Sequence, residues 1–486
     1  MSSIPVERSS SRLTPNSSRT ITKPFVPTGD AAPGGPTRVQ RILATILAME
    51  EGAVEATLAT TMERFSARHA ELRDTFEASF ANVARDVARG GELSLARRLL
   101  IGAYFTHEYS IESAALTNPS IVPAPDQSGL AEGSTRFILS LRAIGEGHIS
   151  SVEFRTGVVD AQGGVHVDAP SRFAATARRV APIYDKPMFR AKLEEMRAFD
   201  ETASAVLASL DEHFSLEELE RVLREIETKR GARVEAIRTV HWLASSNYES
   251  VFDPSGSVSE RVLFPAAPTE SHGMEDARFV RFEDKGDVRY FATYTAYDGY
   301  RILPQLLETR DFVTFKIATL NGPGAKNKGI ALFPRRVGGL FAALARLDNE
   351  NNFVMTSDNV RIWRSSTLIQ SPASSWETMQ IGNCGSPIET EAGWLVLTHG
   401  VGTMRQYAIG AILLDLADPT RVIGRLREPL LEAADDERDG YVPNVLYSCG
   451  AMVAGGRLVL PYGFSDVGTR FATVQLADVL GALAAQ

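Results

Sequence analysis

Residues Phe137–Val159 read FILSLRAIGEGHISSVEFRTGVV, two runs rich in β-branched and aromatic side chains with Gly145 and Gly147 between them. Short runs of this kind, bounded by Gly, Asp, Asn or Pro, read as strands joined by turns. The pattern continues along the chain as YFATYTAY, FKIATL, GIALFPRR, FVMTSD, GWLVLTHG, AIGAILLDL, RLVLPYGF and FATVQL. Strands at this density point to a sandwich, a barrel or a propeller. Weak internal similarity favours the propeller. RVLFP at Arg261–Pro265 is similar to IALFP at Ile330–Pro334, and RDFVTF at Arg310–Phe315 to DNVRIW at Asp358–Trp363. Propeller loops converge on one end of a central channel, so a site there would draw residues from far apart in sequence.

Two regions outside this pattern read as helix. Between about Arg38 and Thr106, Leu43, Ile46, Leu47, Val54, Leu58, Met62 and Phe65 form one apolar stripe at helical spacing. Leu72, Phe76, Phe80, Val83 and Val87 form a second. An insertion at about 187–237 carries Ser215 and Glu218 as a capping box ahead of Leu219, Val222, Leu223 and Ile226. The expected organisation is a disordered Ser/Thr/Pro/Gly-rich leader over 1–36, a helical region over 37–105, and a mainly β domain over 106–486 that contains the insertion.

Composition limits the function. The chain has 486 residues, 44% hydrophobic and 23% charged, with a net charge of -9. That is a globular profile, and the acidic balance argues against a nucleic-acid partner, whose binders carry a basic face. Only Cys384 and Cys449 are present, too few for a disulfide framework. No apolar run is long enough to span a membrane, and the leader lacks the apolar stretch of a secretory signal. The expected location is the cytoplasm.

Four polar clusters could carry chemistry. SHGMEDARF (Ser271–Phe279) holds Glu275, Asp276 and Arg278. In a regular strand Asp276 and Arg278 would share a face, which suits a surface salt bridge as well as a site. KNKGIALFPRR and the following ALARLDNEN supply Lys326, Lys328, Arg335, Arg336, Arg346, Asp348 and Glu350. These could hold a phosphate or a carboxylate, or simply solvate a sheet edge. GNCGSPIETEAGWLVLTHG offers Glu389, Glu391 and His399, the histidine where a strand meets a loop. YVPNVLYSCG with PYGFSD offers Tyr441, Asn444, Tyr447, Tyr462 and Asp466, a mixture that fits sugar recognition and an ordinary β-core equally. The motifs of phosphate-loop, α/β-hydrolase and zincin enzymes are missing, and no metal site is expected.

Taken in order, these clusters resemble glycoside hydrolase family 130, the β-mannoside phosphorylases and related β-mannosidases. TNPSIV supplies the family's early Asn-Pro as Asn118-Pro119, and SLRAIGEGHISS its Arg-bearing strand with Arg142. Glu275-Asp276-Ala277-Arg278 resembles the Glu-Asp-Pro-Arg signature with Ala in place of Pro. NKGIALFPRR, GSPIETEAGWLVLTHG and PYGFSD resemble three later segments, so the likeness spans about Thr106–Leu480.

The resemblance implies a five-bladed β-propeller that cleaves β-mannosides with inorganic phosphate to give mannose 1-phosphate, with inversion. Asp276 would be the general acid. Lys328, Arg346 and His399 would hold phosphate, the co-substrate, and no cofactor is implied. Asn118, Arg142, Glu275, Arg278, Tyr462 and Asp466 would surround the oligosaccharide or disaccharide. A homo-oligomer is favoured by the likeness and by the extra helices. An inverting hydrolase needs a second carboxylate to activate water. Glu350 and Glu389 would be its bases, and a non-catalytic sugar-binding propeller is the third reading. Basic residues that position an already anionic nucleophile favour phosphorolysis.

Overall fold

The computed structural model describes residues 4–28, 35–87, 92–228 and 231–484. Two compact units emerge: residues up to Pro15 with Ala114–Pro170 and Thr176 onward, and Asn16–Ser113 with Ser171–Ala175.

The larger unit is mainly β, built from antiparallel meanders in chain order. The first runs through Ala115–Pro123, Thr135–Ile144, Ser150–Val159 and Val165–Val167. The second runs through Gly273–Asp284, Asp287–Tyr297, Ile302–Thr309 and Thr314–Thr319. Ala331–Leu332, Phe341–Ala345, Asn352–Ser357 and Ser365–Gln370 make the third. Gln380–Asn383, Gly393–Val401, Tyr407–Leu414 and Val422–Arg425 make the fourth. The last contains Leu446–Tyr447, Arg457–Phe464 and Gly468–Gln475. The hairpin at Lys285-Gly286 has φ of 53° and 83°, the double left-handed turn that matches strand twist.

The last meander is completed from the other end of the chain. Glu7–Leu13 pairs antiparallel with Gly468–Gln475, from Glu7↔Thr473 to Leu13↔Thr469. The expected disordered leader is corrected where it is described, since it contains this strand and a second at Thr20–Pro24; residues 1–3 and 29–34 of it lie outside the described residues. A strand that is exposed along most of its length needs no apolar alternation. It needs only an open edge to pair with.

A cavity of about 680 Å³ is lined by Ile121, Val280, Pro334, Ile388 and Met452, so every meander contributes to one wall. These positions lie toward the ends of the meanders' first strands or just beyond them.

A repeat also sits in the turns. Ala266-Ala267-Pro268-Thr269-Glu270, Ala373-Ser374-Ser375-Trp376-Glu377 and Ala433-Ala434-Asp435-Asp436-Glu437 share the form Ala-[Ala/Ser]-x-x-Glu. Each ends in a short 3-10 turn whose glutamate is fully buried and accepts backbone N–H groups at its own start. Further partners are Tyr248 and Tyr294 hydroxyls on Glu270, Arg425 on Glu377, and Tyr462 and Arg470 on Glu437. These contacts offset the cost of burying each carboxylate, although all those on Glu377 fall on one oxygen and its Oε2 has no hydrogen-bond partner. Of the similarities read from the sequence, Arg310–Phe315 and Asp358–Trp363 share a role, each leading from the third strand of its meander toward the fourth; Arg261–Leu263 and Ala331–Leu332 do not, since the first pairs with the third strand of the first meander and the second opens the third meander.

The insertion is four helices, Lys186–Glu195, Glu201–Ala208, Leu216–Glu227 and Val234–Ser245, ending eight residues beyond the expected 237. The Ser215–Glu218 capping box is formed, and Leu219, Val222 and Ile226 face a core shared with Phe189, Leu193, Val206 and Val240.

The smaller unit holds helices Arg38–Leu47, Glu51–Phe65, Leu72–Val83 and Leu95–Tyr104. A two-stranded ribbon, Thr20–Pro24 with Thr106–Ser110, accompanies them, so Thr106 opens a strand of this unit. Gly102 lies so close to Phe76 that a Cβ would sit 1.8 Å from its carbonyl oxygen. Among the described residues no helix is long and apolar enough to cross a membrane.

Candidate active site

Two first strands break register at their polar residues. Pairing shifts between Thr117 and Ser120 in one, and between Glu275 and Arg278 in the other. Asn118 and Asp276 sit at these bulges with φ of 49° and 55°. Left-handed backbone is costly for residues other than glycine, least so for Asn and Asp, and held strain of this kind clusters at functional sites. The bulges bring the two side chains together: Asn118 Nδ2 donates to Asp276 Oδ1.

Cations surround this carboxylate. Arg142, from the second strand of the first meander, donates to Glu275 Oε1 at 2.7 Å and lies 4.0 Å from Asp276 Oδ1. Lys328 donates to Glu275 Oε2 at 2.5 Å, so Glu275 bridges the two cations. Arg278 donates to the Asp276 backbone carbonyl at 3.1 Å and to the Tyr447 hydroxyl at 2.5 Å. Its distance to the Asp276 carboxylate is 3.9 Å, because the bulge disrupts the alternation that would have paired them squarely.

The second cationic locus joins Arg346 to His399. Arg346 Nη1 lies 3.4 Å from His399 Nε2. A guanidinium has no acceptor, so Nε2 carries the lone pair and Nδ1 the proton. The imidazole is buried, stacked on Tyr407 and edge-on to Tyr447 at 4.8 Å. Gly382 leaves room for it: a Cβ there would be 2.4 Å from His399 Cε1. Asn383 Nδ2 donates to the Gly329 carbonyl at 2.6 Å, tying this strand to the Lys328 loop.

The electrostatics follow from burial and these charges. Burial alone would raise the Asp276 carboxyl, but Arg278, Arg142 and Lys328, with the Asn118 hydrogen bond, outweigh it and hold it below the ordinary carboxylate value. Burial, then Arg346 and Arg278, push His399 well below the usual imidazole value, so it is neutral at pH 7. Asp466 behaves in the opposite sense. Burial raises it and Asp276 adds to the rise, against the pull of Arg142. Asp466 sits in a left-handed turn (φ 49°) between the second and third strands of the last meander.

Asn118, Arg142, Glu275, Asp276, Arg278 and Lys328 thus share direct contacts, Arg346 and His399 share one, and Asp466 lies within reach of their charges. Tyr462 is not brought to this cluster, because its hydroxyl is committed to Glu437 at 2.6 Å in the core of the last meander. Glu389 pairs with Arg335 at 2.5 Å and lines the 680 Å³ cavity instead. Glu350 is exposed in a turn whose backbone is organised by Asp348. Sequence reasoning grouped Tyr447 with its aromatic neighbours but did not single it out, and missed Asn383. Buried Cys384 and Cys449 also adjoin Arg278 electrostatically, and burial pushes Cys384 up to about 12, so it is no nucleophile at neutral pH.

A family model described as β-1,4-mannooligosaccharide phosphorylase, that of glycoside hydrolase family 130, matches residues 247–484. The chain is 33% identical over 219 residues to a 1,2-β-oligomannan phosphorylase of Thermoanaerobacter sp., a match covering 43% of this chain and 71% of that relative. The chain belongs to glycoside hydrolase family 130. A second relative, the β-1,2-mannobiose phosphorylase of Listeria innocua, is 30% identical over 225 residues, covering 45% of this chain and 62% of the relative. The solved structure of the Listeria innocua β-1,2-mannobiose phosphorylase with β-1,2-mannobiose aligns with a TM-score of 0.47 at 21% identity, covering 78% of this chain and 94% of that one. The family match begins at 247, so the four-helix insertion lies outside it, as does the first meander with Asn118 and Arg142.

Proposed function

We propose that this chain is an inverting β-mannoside phosphorylase, in which Asp276 delivers the proton and phosphate attacks the anomeric carbon to give mannose 1-phosphate. The observation that carries the reading is one carboxylate held among Arg142, Arg278 and Lys328, with the Arg346–His399 pair in the same field. Phosphate is already anionic at pH 7 and needs positioning and charge compensation rather than a base. Lys328, Arg346 and His399 are the residues proposed to supply this. A phosphate oxygen carrying a proton can donate to His399 Nε2, which the free enzyme leaves facing a guanidinium. Glu389 is committed to Arg335 beside a different cavity, and Glu350 lies exposed in its turn; neither placement is that of a base activating water across from Asp276, which counts against the hydrolase.

Asp276 is ionised in the free enzyme, and an acid must hold a proton. Bound phosphate brings negative charge to Lys328, one of the cations that hold Asp276 ionised, so it raises the Asp276 carboxyl toward the protonated form. Phosphate thereby serves as nucleophile and as the counter-charge that readies the acid. Asn118, Arg142 and Asp466 would face the mannose. Tyr441, stacked on His148 at 5.5 Å, would border the leaving sugar, since its segment bonds to Ser465 beside Asp466. The relatives named here act on β-1,2-linked substrates and the family description is β-1,4, so the substrate class proposed is short β-mannosides. The five meanders and the cavity they share support a five-bladed propeller. Two buried free thiols suit a reducing compartment such as the cytoplasm.

One observation favours a second assignment of the proton. Asp466 is the carboxyl whose proton affinity is raised, and catalytic pairs are often pushed apart in this way. The test is turnover of a β-mannobiose with phosphate by Asp276→Asn and Asp466→Asn. The reading expects Asp276→Asn to lose at least about a thousandfold in kcat, the upper range for a general acid, and Asp466→Asn to lose mainly in KM. The reverse pattern transfers the acid to Asp466.

A further inference from the structure

The Lys328 loop is held at both ends. At the site end Asn383 donates to the Gly329 carbonyl at 2.6 Å. At the far end it meets the first helix of the insertion, Lys186–Glu195, whose start is capped by Asp185. Lys192, only 4% exposed, donates to the Leu320 carbonyl at 2.8 Å and to Glu195 Oε1 at 2.9 Å. The other oxygen of Glu195 accepts the Gly322 N–H at 2.7 Å. One ion pair, its lysine buried and its glutamate at the surface, therefore grips two backbone groups at the base of the segment that leads to Lys328.

The gripped segment cannot easily take up slack. Asn321 exchanges backbone hydrogen bonds with Arg361 and Trp363 at 2.8 Å each, and Gly324 donates to the Trp363 carbonyl at 2.9 Å. Gly322 has φ of 95°, and a Cβ there would lie 2.2 Å from the Trp363 carbonyl oxygen. From Gly322 the chain closes a turn, Ala325 N–H to Gly322 carbonyl at 2.9 Å, and reaches Lys328 three residues later. A buried charged lysine costs several kcal/mol unless paired. Spending such a group on a backbone carbonyl makes sense where the position of that backbone matters.

We propose that Lys192 and Glu195 are positioning residues for the anion site: the helical insertion clamps the Lys328 loop so that the ammonium group meets phosphate in a fixed place. This rests on the reading of Lys328 as a phosphate ligand. The clamp belongs to the insertion, outside the residues that match the family model.

The test uses the full-length protein with Lys192→Met, Glu195→Gln and the conservative Lys192→Arg. Initial rates are measured against phosphate at saturating mannoside, and against mannoside at saturating phosphate. The clamp predicts that Lys192→Met and Glu195→Gln raise the phosphate KM roughly tenfold, less than the hundredfold that follows an ångström of misplacement. The mannoside KM should change less than about twofold, and Lys192→Arg should restore much of the loss. Amide hydrogen exchange should rise across 320–329 and stay unchanged across 273–284. A general loss of stability would instead move both KM values, or kcat alone, and would raise exchange in both segments; either result overturns the clamp. So does an unchanged phosphate KM. If the wild-type protein shows no phosphate-dependent turnover, the functional reading fails separately, and phosphate binding by calorimetry then decides the clamp: equal Kd in wild type and both variants rejects it.

Discussion

Removing the Arg142 charge should raise the proton affinity of Asp276. The guanidinium lies 4.0 Å from Asp276 Oδ1, and two unit charges at that distance interact by about 4 kcal/mol at an effective dielectric of about 20. At roughly 1.4 kcal/mol per pH unit that is an upper bound of about 3 units. Arg142 is partly exposed, and Arg278 and Lys328 remain, so about 1–2 units is the expected rise in Arg142→Met. The carboxyl carbon of Asp276, labelled and followed by NMR against pH, reports the change directly, with Asp276→Asn identifying the resonance. In wild type it should titrate below the ordinary carboxylate value, and in Arg142→Met nearer to neutrality. Saturating sulfate, which does not itself titrate in this range, should shift the wild-type carboxyl in the same direction. An Asp276 that does not move with Arg142→Met or with sulfate would refute the claim that these cations, and the anion that compensates them, control the acid.

Further outcomes follow from the same geometry. His399 is neutral in the folded protein, so the unfolded chain takes up a proton near the ordinary imidazole value that the native state refuses. Its share of stability is complete above that value and declines as pH falls, by up to about 1.4 kcal/mol per unit; His399→Gln should flatten the fall in melting temperature between about pH 6.5 and pH 5. Gly382→Ala places a methyl against His399 and Arg346, and should raise the phosphate KM by roughly tenfold or more while leaving the mannoside KM nearly unchanged. Glu437→Gln removes the charge that satisfies Arg470 at 2.9 Å, and should lower stability by about 2–3 kcal/mol in denaturant unfolding, without a specific effect on phosphate KM.

The β-rich character was legible because strand runs and their Gly/Asp/Asn boundaries are local. So was the Ser215 capping box, which needs only two side chains at fixed spacing. The strand at Glu7–Leu13 was not legible, since its partner lies more than 450 residues away and its own faces are mostly exposed. The Ala-[Ala/Ser]-x-x-Glu turns were present in the sequence. They escaped notice because a glutamate reads as surface until its burial and partners are seen. Within the site, the Asp276–Asn118 contact depends on two bulges that spacing alone cannot show, and those same bulges undo the simple Asp276–Arg278 pairing. Tyr462 and Glu389 illustrate the converse. Both sit in motifs that resemble the family, and both side chains are committed elsewhere.

The central claim is that phosphate, not water, attacks opposite a proton delivered from Asp276. The most direct test is to incubate the protein with β-1,2- and β-1,4-mannobiose, with and without inorganic phosphate, and to follow the products by NMR. The account predicts α-mannose 1-phosphate and mannose in equal amounts, formed only when phosphate is present. Release of free mannose at the same rate without phosphate, with no sugar phosphate formed, would contradict it.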